Sequence, residues 1–180
     1  MSEAYSPVPE LNLLKELQDR LGPVFCSKGF ELYEYGGDAG LHTWSEDPAF
    51  LGRFVPFAKA NGSGSDYALW RCDDRVELAT LPVVFVGDEG DLYVIARDLR
   101  ELFRLLALDR EPVAEGFLGA GPDEEDTEEH SQGHAEFLAW LDRTFGLGPP
   151  EDPDALWEAR KEHDDRFRSW AGRFVDLGDR

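Results

Sequence analysis

The residues of this chain best placed to do chemistry fall between positions 123 and 134. His130 and His134 are four apart, a spacing that on a helix turns both imidazoles to one face, and Glu128 and Glu129 stand just upstream as oxygen ligands. The chemistry would be cation binding, with a metal-dependent enzyme as the third reading after two binding roles. No His-Glu-x-x-His accompanies the pair, and Gly133 with the acidic run before it works against a continuous helix. The two are therefore read as solvated histidines, with no metal and no cofactor assigned. Asp88, Glu89 and Asp91 form a second acidic group, able in principle to share a proton or hold calcium, yet equally ordinary in an exposed turn. Gly62-Ser63-Gly64 resembles part of a phosphate-binding turn but leads into Asp66-Tyr67 and a strand, without the Lys-Ser or Lys-Thr pair that opens a P-loop helix. Neither Cys26 nor Cys72 sits in a Cys-x-x-Cys pair or a nucleophile motif, and no Gly-x-Ser-x-Gly elbow occurs. The reading is a protein that is not an enzyme.

The elements around these residues follow from periodicity. Leu11, Leu14, Leu17 and Leu21 predict an opening helix over Pro9 to Leu21, stopped by Gly22-Pro23. Phe30 to Tyr35 alternates apolar and acidic residues and predicts a half-buried strand, and Asp47-Pro48 caps a short helix running to Phe54. Strands follow at Val55 to Ala58 and Tyr67 to Cys72, with the turn Asn61 to Ser65 between them. Pro82 to Val86 and Leu92 to Ile95 flank Gly87-Asp88-Glu89-Gly90 as a hairpin, and Asp98 with Glu101 makes a capping box for a helix reaching about Ala107. Strands that come together and then yield to helices predict an α+β fold: an antiparallel sheet with helices packed on one face. Phe137, Leu138, Leu141 and Phe145, then Leu156, Phe167, Trp170, Ala171 and Phe174 after Asp152-Pro153, predict a C-terminal helical hairpin docked on that core. The organisation is one compact unit with a core over 1–112, an acidic glycine-rich loop over 113–132 and the helical hairpin over 133–180.

The chain has 180 residues, 38 of them acidic and 18 basic, for a net charge of −20. That balance excludes direct nucleic-acid binding, whose affinity comes from neutralising phosphates, and disfavours an anionic membrane surface. With no apolar run near the roughly 20 residues of a membrane span, and no basic-then-apolar leader at Met1 to Tyr5, the expectation is a cytoplasmic protein. Residues 121–180 carry 17 acids against 7 bases, and Asp123, Glu124, Glu125, Asp126, Glu128 and Glu129 fall within seven positions.

Between residues 54 and 103 these patterns assemble into a resemblance. Phe54-Val55-Pro56-Phe57-Ala58, then Asn61-Gly62-Ser63-Gly64-Ser65-Asp66-Tyr67-Ala68-Leu69, then Pro82 to Val86 with its Asp88-Glu89-Gly90 turn, resemble the SUKH superfamily. Ile95-Ala96-Arg97-Asp98-Leu99-Arg100-Glu101-Leu102 is similar to the segment that opens that family's next helix, with Asp98 where serine is usual. The family's N-terminal Leu-Pro-x-x-Tyr helix has no counterpart here. What the resemblance implies is an immunity protein that binds and neutralises a cytosolic bacterial toxin, many of these toxins being nucleases; the alternative is a regulatory or scaffolding domain of the same fold. An acidic inhibitor would be steered to a basic partner. The candidate contacts are the hairpin carboxylates Asp88, Glu89 and Asp91, the acidic run from Asp123 to Glu129, and Trp44, which stands where the elements are least defined.

Overall fold

The computed structural model describes residues 3–113, 116–117 and 129–178. Helix α1 (Pro9–Leu21) opens with proline in its first turn and buries Leu11, Leu14 and Leu17. Its start is fixed by a clasp rather than a cap: Asn12 accepts from the Ser6 N–H at 2.8 Å and donates to the Ser6 carbonyl at 2.9 Å. Five strands follow, β1 (Glu31–Leu32), β2 (Phe54–Lys59), β3 (Asp66–Trp70), β4 (Val83–Val86) and β5 (Leu92–Ala96), all antiparallel and side by side in chain order. A four-residue helix, α2 (Pro48–Leu51), precedes β2, and Asp47 caps it by accepting from the Ala49 N–H at 2.8 Å. The chain is thus of the α+β class, with an antiparallel sheet.

β1 is shorter than the alternation from Phe30 to Tyr35 predicts, and the reason lies in its neighbour. The register of β2 against β3 shifts between Pro56 and Ala58, leaving Phe57 as an extra residue. Its carbonyl accepts from the Tyr33 N–H at 3.1 Å and from the Tyr5 hydroxyl at 3.2 Å. The Pro56 carbonyl takes the Gly36 N–H at 2.8 Å, so the chain leaves the ladder at the bulge. The bulge also accommodates Pro56, which has no N–H to give.

Successive strand residues point to two separate cores. Tyr67, Leu69, Val83, Phe85, Tyr93 and Ile95 meet α1, α3 (Leu99–Leu106) and α4 (His134–Phe145) on one face. Ala68, Trp70, Val84, Val86, Leu92 and Val94 meet Phe50 of α2 and Phe167 and Ala171 of α6 (Lys161–Ala171) on the other. The one-sided packing expected of the helices therefore describes α1, α3 and α4, and a second layer closes the far face. Every residue of β4 and β5 is buried, as a sheet covered on both sides requires.

The C-terminal helices straddle the sheet instead of lying against each other as a hairpin. α4 stays on the first face through Phe137, Trp140 and Leu141, and Gly146 ends it in the left-handed region at φ 65. α5 (Pro153–Ala159), capped by Asp152, passes the edge strand β5, and the chain bends at Arg160 into α6 on the second face. The bend is where the edge is closed. Asp164 accepts from the Val94 N–H at 2.8 Å, and Arg160 donates to the Val94 carbonyl at 3.0 Å. The same guanidinium lies 3.5 Å from the centre of the Trp157 ring and 3.3 Å from Asp164. An edge backbone that would otherwise invite another strand is satisfied by two side chains one helical turn apart.

Candidate functional site

The two hairpin turns at one end of the sheet are built to hold each other. Asn61 Oδ1 accepts from the N–H groups of Ser63, Gly64 and Ser65 at 3.1, 3.2 and 3.0 Å, folding the β2–β3 turn around one side chain. Ser65 Oγ donates to Asp88 Oδ1 at 2.5 Å and Ser63 Oγ does so at 3.1 Å, tying this turn to the β4–β5 turn. The Ser65 hydroxyl, then Ser63, hold the Asp88 carboxyl below its ordinary range. Asp88 is thus a clamp as well as an exposed charge; Glu89 beside it is exposed, and Asp91 is half-buried.

A third segment crosses the same end. Gly29, at φ +65, runs so close to the β2–β3 turn that a Cβ there would sit 2.7 Å from the Asn61 Cα. The result is a cleft of about 530 Å³ walled by Phe25, Lys28, Lys59, Ser63, Glu111 and Ser131. Phe25 is 47% exposed at this cleft, an apolar ring among charged and polar neighbours.

Behind the cleft lies the group best equipped for chemistry. Asp109 follows α3 in the left-handed region at φ 54, uncommon for a residue with a Cβ. Its side chain is fully buried. Oδ1 accepts from the Lys28 N–H at 2.8 Å and the Ser131 hydroxyl at 2.7 Å; Oδ2 accepts from the Ser131 N–H at 2.6 Å and faces His130 Nδ1 at 3.2 Å. Burial pushes this carboxyl up, but the Ser131 and Lys28 donors outweigh it and bring it below its ordinary range. His134, the first residue of α4, is buried and donates from Nε2 to the Ala107 carbonyl at 2.9 Å. The two imidazoles stack with centres 4.5 Å apart. One nitrogen from each and one Asp109 oxygen all lie within 4.8 Å of one another.

The histidine spacing thus brings the rings together, although His130 precedes α4 and the meeting is made by a loop and a helix start. His130 is exposed as expected, and His134 is not. Asp109, Ser131, Lys28 and Phe25 carry no signal in the sequence beyond a polar or apolar residue in a loop; the αL backbone and the crossing at Gly29 bring them to the site. Trp44 lies elsewhere, half-buried against the second core, and its backbone N–H donates to the Leu41 carbonyl at 3.0 Å. Glu129 is exposed, and Asp123, Glu124, Glu125, Asp126 and Glu128 lie outside the described residues. Both described ends of that acidic segment reach the cleft: Glu111, next to the two-residue strand β6 (Pro112–Val113), lines it, as does Ser131, two residues after Glu129. Cys26 is buried, its thiol pushed up to about 12 mainly by burial, and both cysteines are free, which suits inert thiols. No described helix is long and apolar enough to cross a membrane. No family model, no curated protein and no solved structure matches this chain.

Proposed function

We propose that this chain is a non-enzymatic binding domain of the SUKH type, an immunity protein whose acidic end covers a basic cytosolic toxin, with a nuclease the best-fitting class. The observation that carries the reading is convergence. The turn bearing Asp88 and Glu89 is clamped to the β2–β3 turn, and that turn shares its cleft with Glu111 and Ser131, which flank the acidic run. The hairpin carboxylates and Glu111, far apart in sequence, therefore stand at one end of the sheet with the exposed ring of Phe25. An aromatic anchor inside a charged rim is the arrangement that gives an interface both adhesion and steering. The residues that carry the SUKH resemblance lie in β2, β3, β4, the end of β5 and the start of α3, and they include the β2–β3 and β4–β5 turns that form this end.

The test is binding of the protein to the toxin domain encoded beside it, at low and at high salt. Protection and affinity that fall when Glu89 and the Asp123–Glu129 carboxylates are changed to amides, and again when Phe25 becomes alanine, support the reading. Unchanged protection in both variants overturns this choice of surface. A neighbouring gene set without a toxin, with a housekeeping protein bound instead, moves the chain to a regulatory domain of the same fold.

A further inference from the structure

The Asp109–His130–His134 cluster has the composition and spacing of a cation site, and it stands apart from the partner-binding reading. We infer that Asp109, His130 and His134 bind one divalent cation of the zinc class, which locks the start of α4 to the end of α3. Two imidazoles and one carboxylate favour zinc and its neighbours over magnesium or calcium, which take oxygen donors.

Three features of the geometry carry this. First, Asp109 Oδ2 and His130 Nδ1 are 3.2 Å apart, close to the edge of about 3.3 Å that a tetrahedron has when its ligands stand about 2.0 Å from the metal. Second, a carbonyl can only accept, so His134 Nε2 carries the proton it gives to Ala107 and the lone pair falls on Nδ1. A ligand histidine held through its other nitrogen by a backbone carbonyl is the usual outer-shell arrangement of a metal site. Third, Asp109 is already fixed by the Lys28 N–H, the Ser131 N–H and the Ser131 hydroxyl, which remain as the outer shell when a cation replaces the His130 contact. His130 supplies the adjustment. Its exposed ring can turn to bring a nitrogen onto one ion with Asp109 Oδ2 and His134 Nδ1. The cluster already has one nitrogen of each ring and one Asp109 oxygen within 4.8 Å of one another, and water completes the shell.

The acidic run at 123–129, just upstream in the sequence, is a rival cation binder, and the experiment separates the two. Zinc chloride is titrated calorimetrically into the full chain, into His130→Ala, into His134→Gln, whose amide can still donate to Ala107, and into a chain with the 123–129 carboxylates changed to amides. Thermal unfolding is followed with and without zinc. The expected result is one zinc per chain and a raised Tm, retained in the amide variant and weakened at least about tenfold in each histidine variant. His130 is exposed, so its replacement tests the site even where His134→Gln fails to fold. No zinc uptake by the unaltered chain, uptake unchanged in His130→Ala, or uptake abolished by the amide changes alone would overturn the assignment.

Discussion

Asp109 joins three stretches of chain with one carboxylate. The Lys28 and Ser131 N–H groups and the Ser131 hydroxyl all end on it, and its own backbone sits in a conformation that favours glycine or asparagine. Removing it as Asp109→Ala leaves buried donors without an acceptor, at a cost of about 3 kcal/mol in urea unfolding. Its pH dependence has a definite sign. The folded carboxyl titrates below the ordinary 3.8, so near that pH the unfolded chain binds more protons than the native one. The stability it contributes is complete above the unfolded value and disappears as pH falls through the folded value. Urea titrations of the unaltered protein across the acid range should show this loss, and Asp109→Asn should lack that part of it. None of this was legible in the sequence, where Asp109 is one acid in Leu-Asp-Arg-Glu-Pro; the partners 81 and 22 residues away exist only after folding.

At the scale of elements, local signals set the starts and tertiary contacts set the ends. Asp47, Asp98 and Asp152 cap α2, α3 and α5 as their positions before the helical pattern predict. In α3 the partner carboxylate deviates by one residue, since Glu101 reaches the Arg97 N–H at 3.1 Å. α1 was readable from its helical period, and the hairpin β4–β5 from two β-branched or aromatic runs around a glycine-bounded acidic turn. The split of α4 from α6 was not, because both have an apolar stripe and nothing in a stripe says which face of a sheet it will cover. The bend at Arg160 likewise has no glycine or proline to announce it; the edge of β5 supplies the reason. Replacing both Arg160 and Asp164 by alanine should cost about 2–4 kcal/mol, since Val94 loses both outward partners, and should raise the rate of aggregation seen by light scattering. Phe167→Ala, which empties a fully buried site between Phe54 and Trp70, should cost about 3–5 kcal/mol in the same unfolding measurement. The lost α6 contact should open Val94 to hydrogen exchange.

For the whole molecule, charge acts in opposite directions on folding and on binding. A net charge of −20 on one small domain repels itself, so added sodium chloride should raise Tm. The same salt should weaken capture of a basic partner, because screening removes the steering that the acidic end provides. That end was half legible: the hairpin carboxylates stand out in the sequence, but their approach to Glu111 and Phe25 depends on the Ser65–Asp88 clamp and the crossing at Gly29. The most direct measurement is calorimetric titration of the neighbouring-gene toxin domain with the unaltered chain and with the variant carrying Phe25→Ala, Glu89→Gln and amides at 123–129. Tight binding that weakens with salt and drops at least about a hundredfold in the variant is the predicted result. Equal affinity for both chains, insensitive to salt, would contradict the claim that this acidic end is where the protein acts.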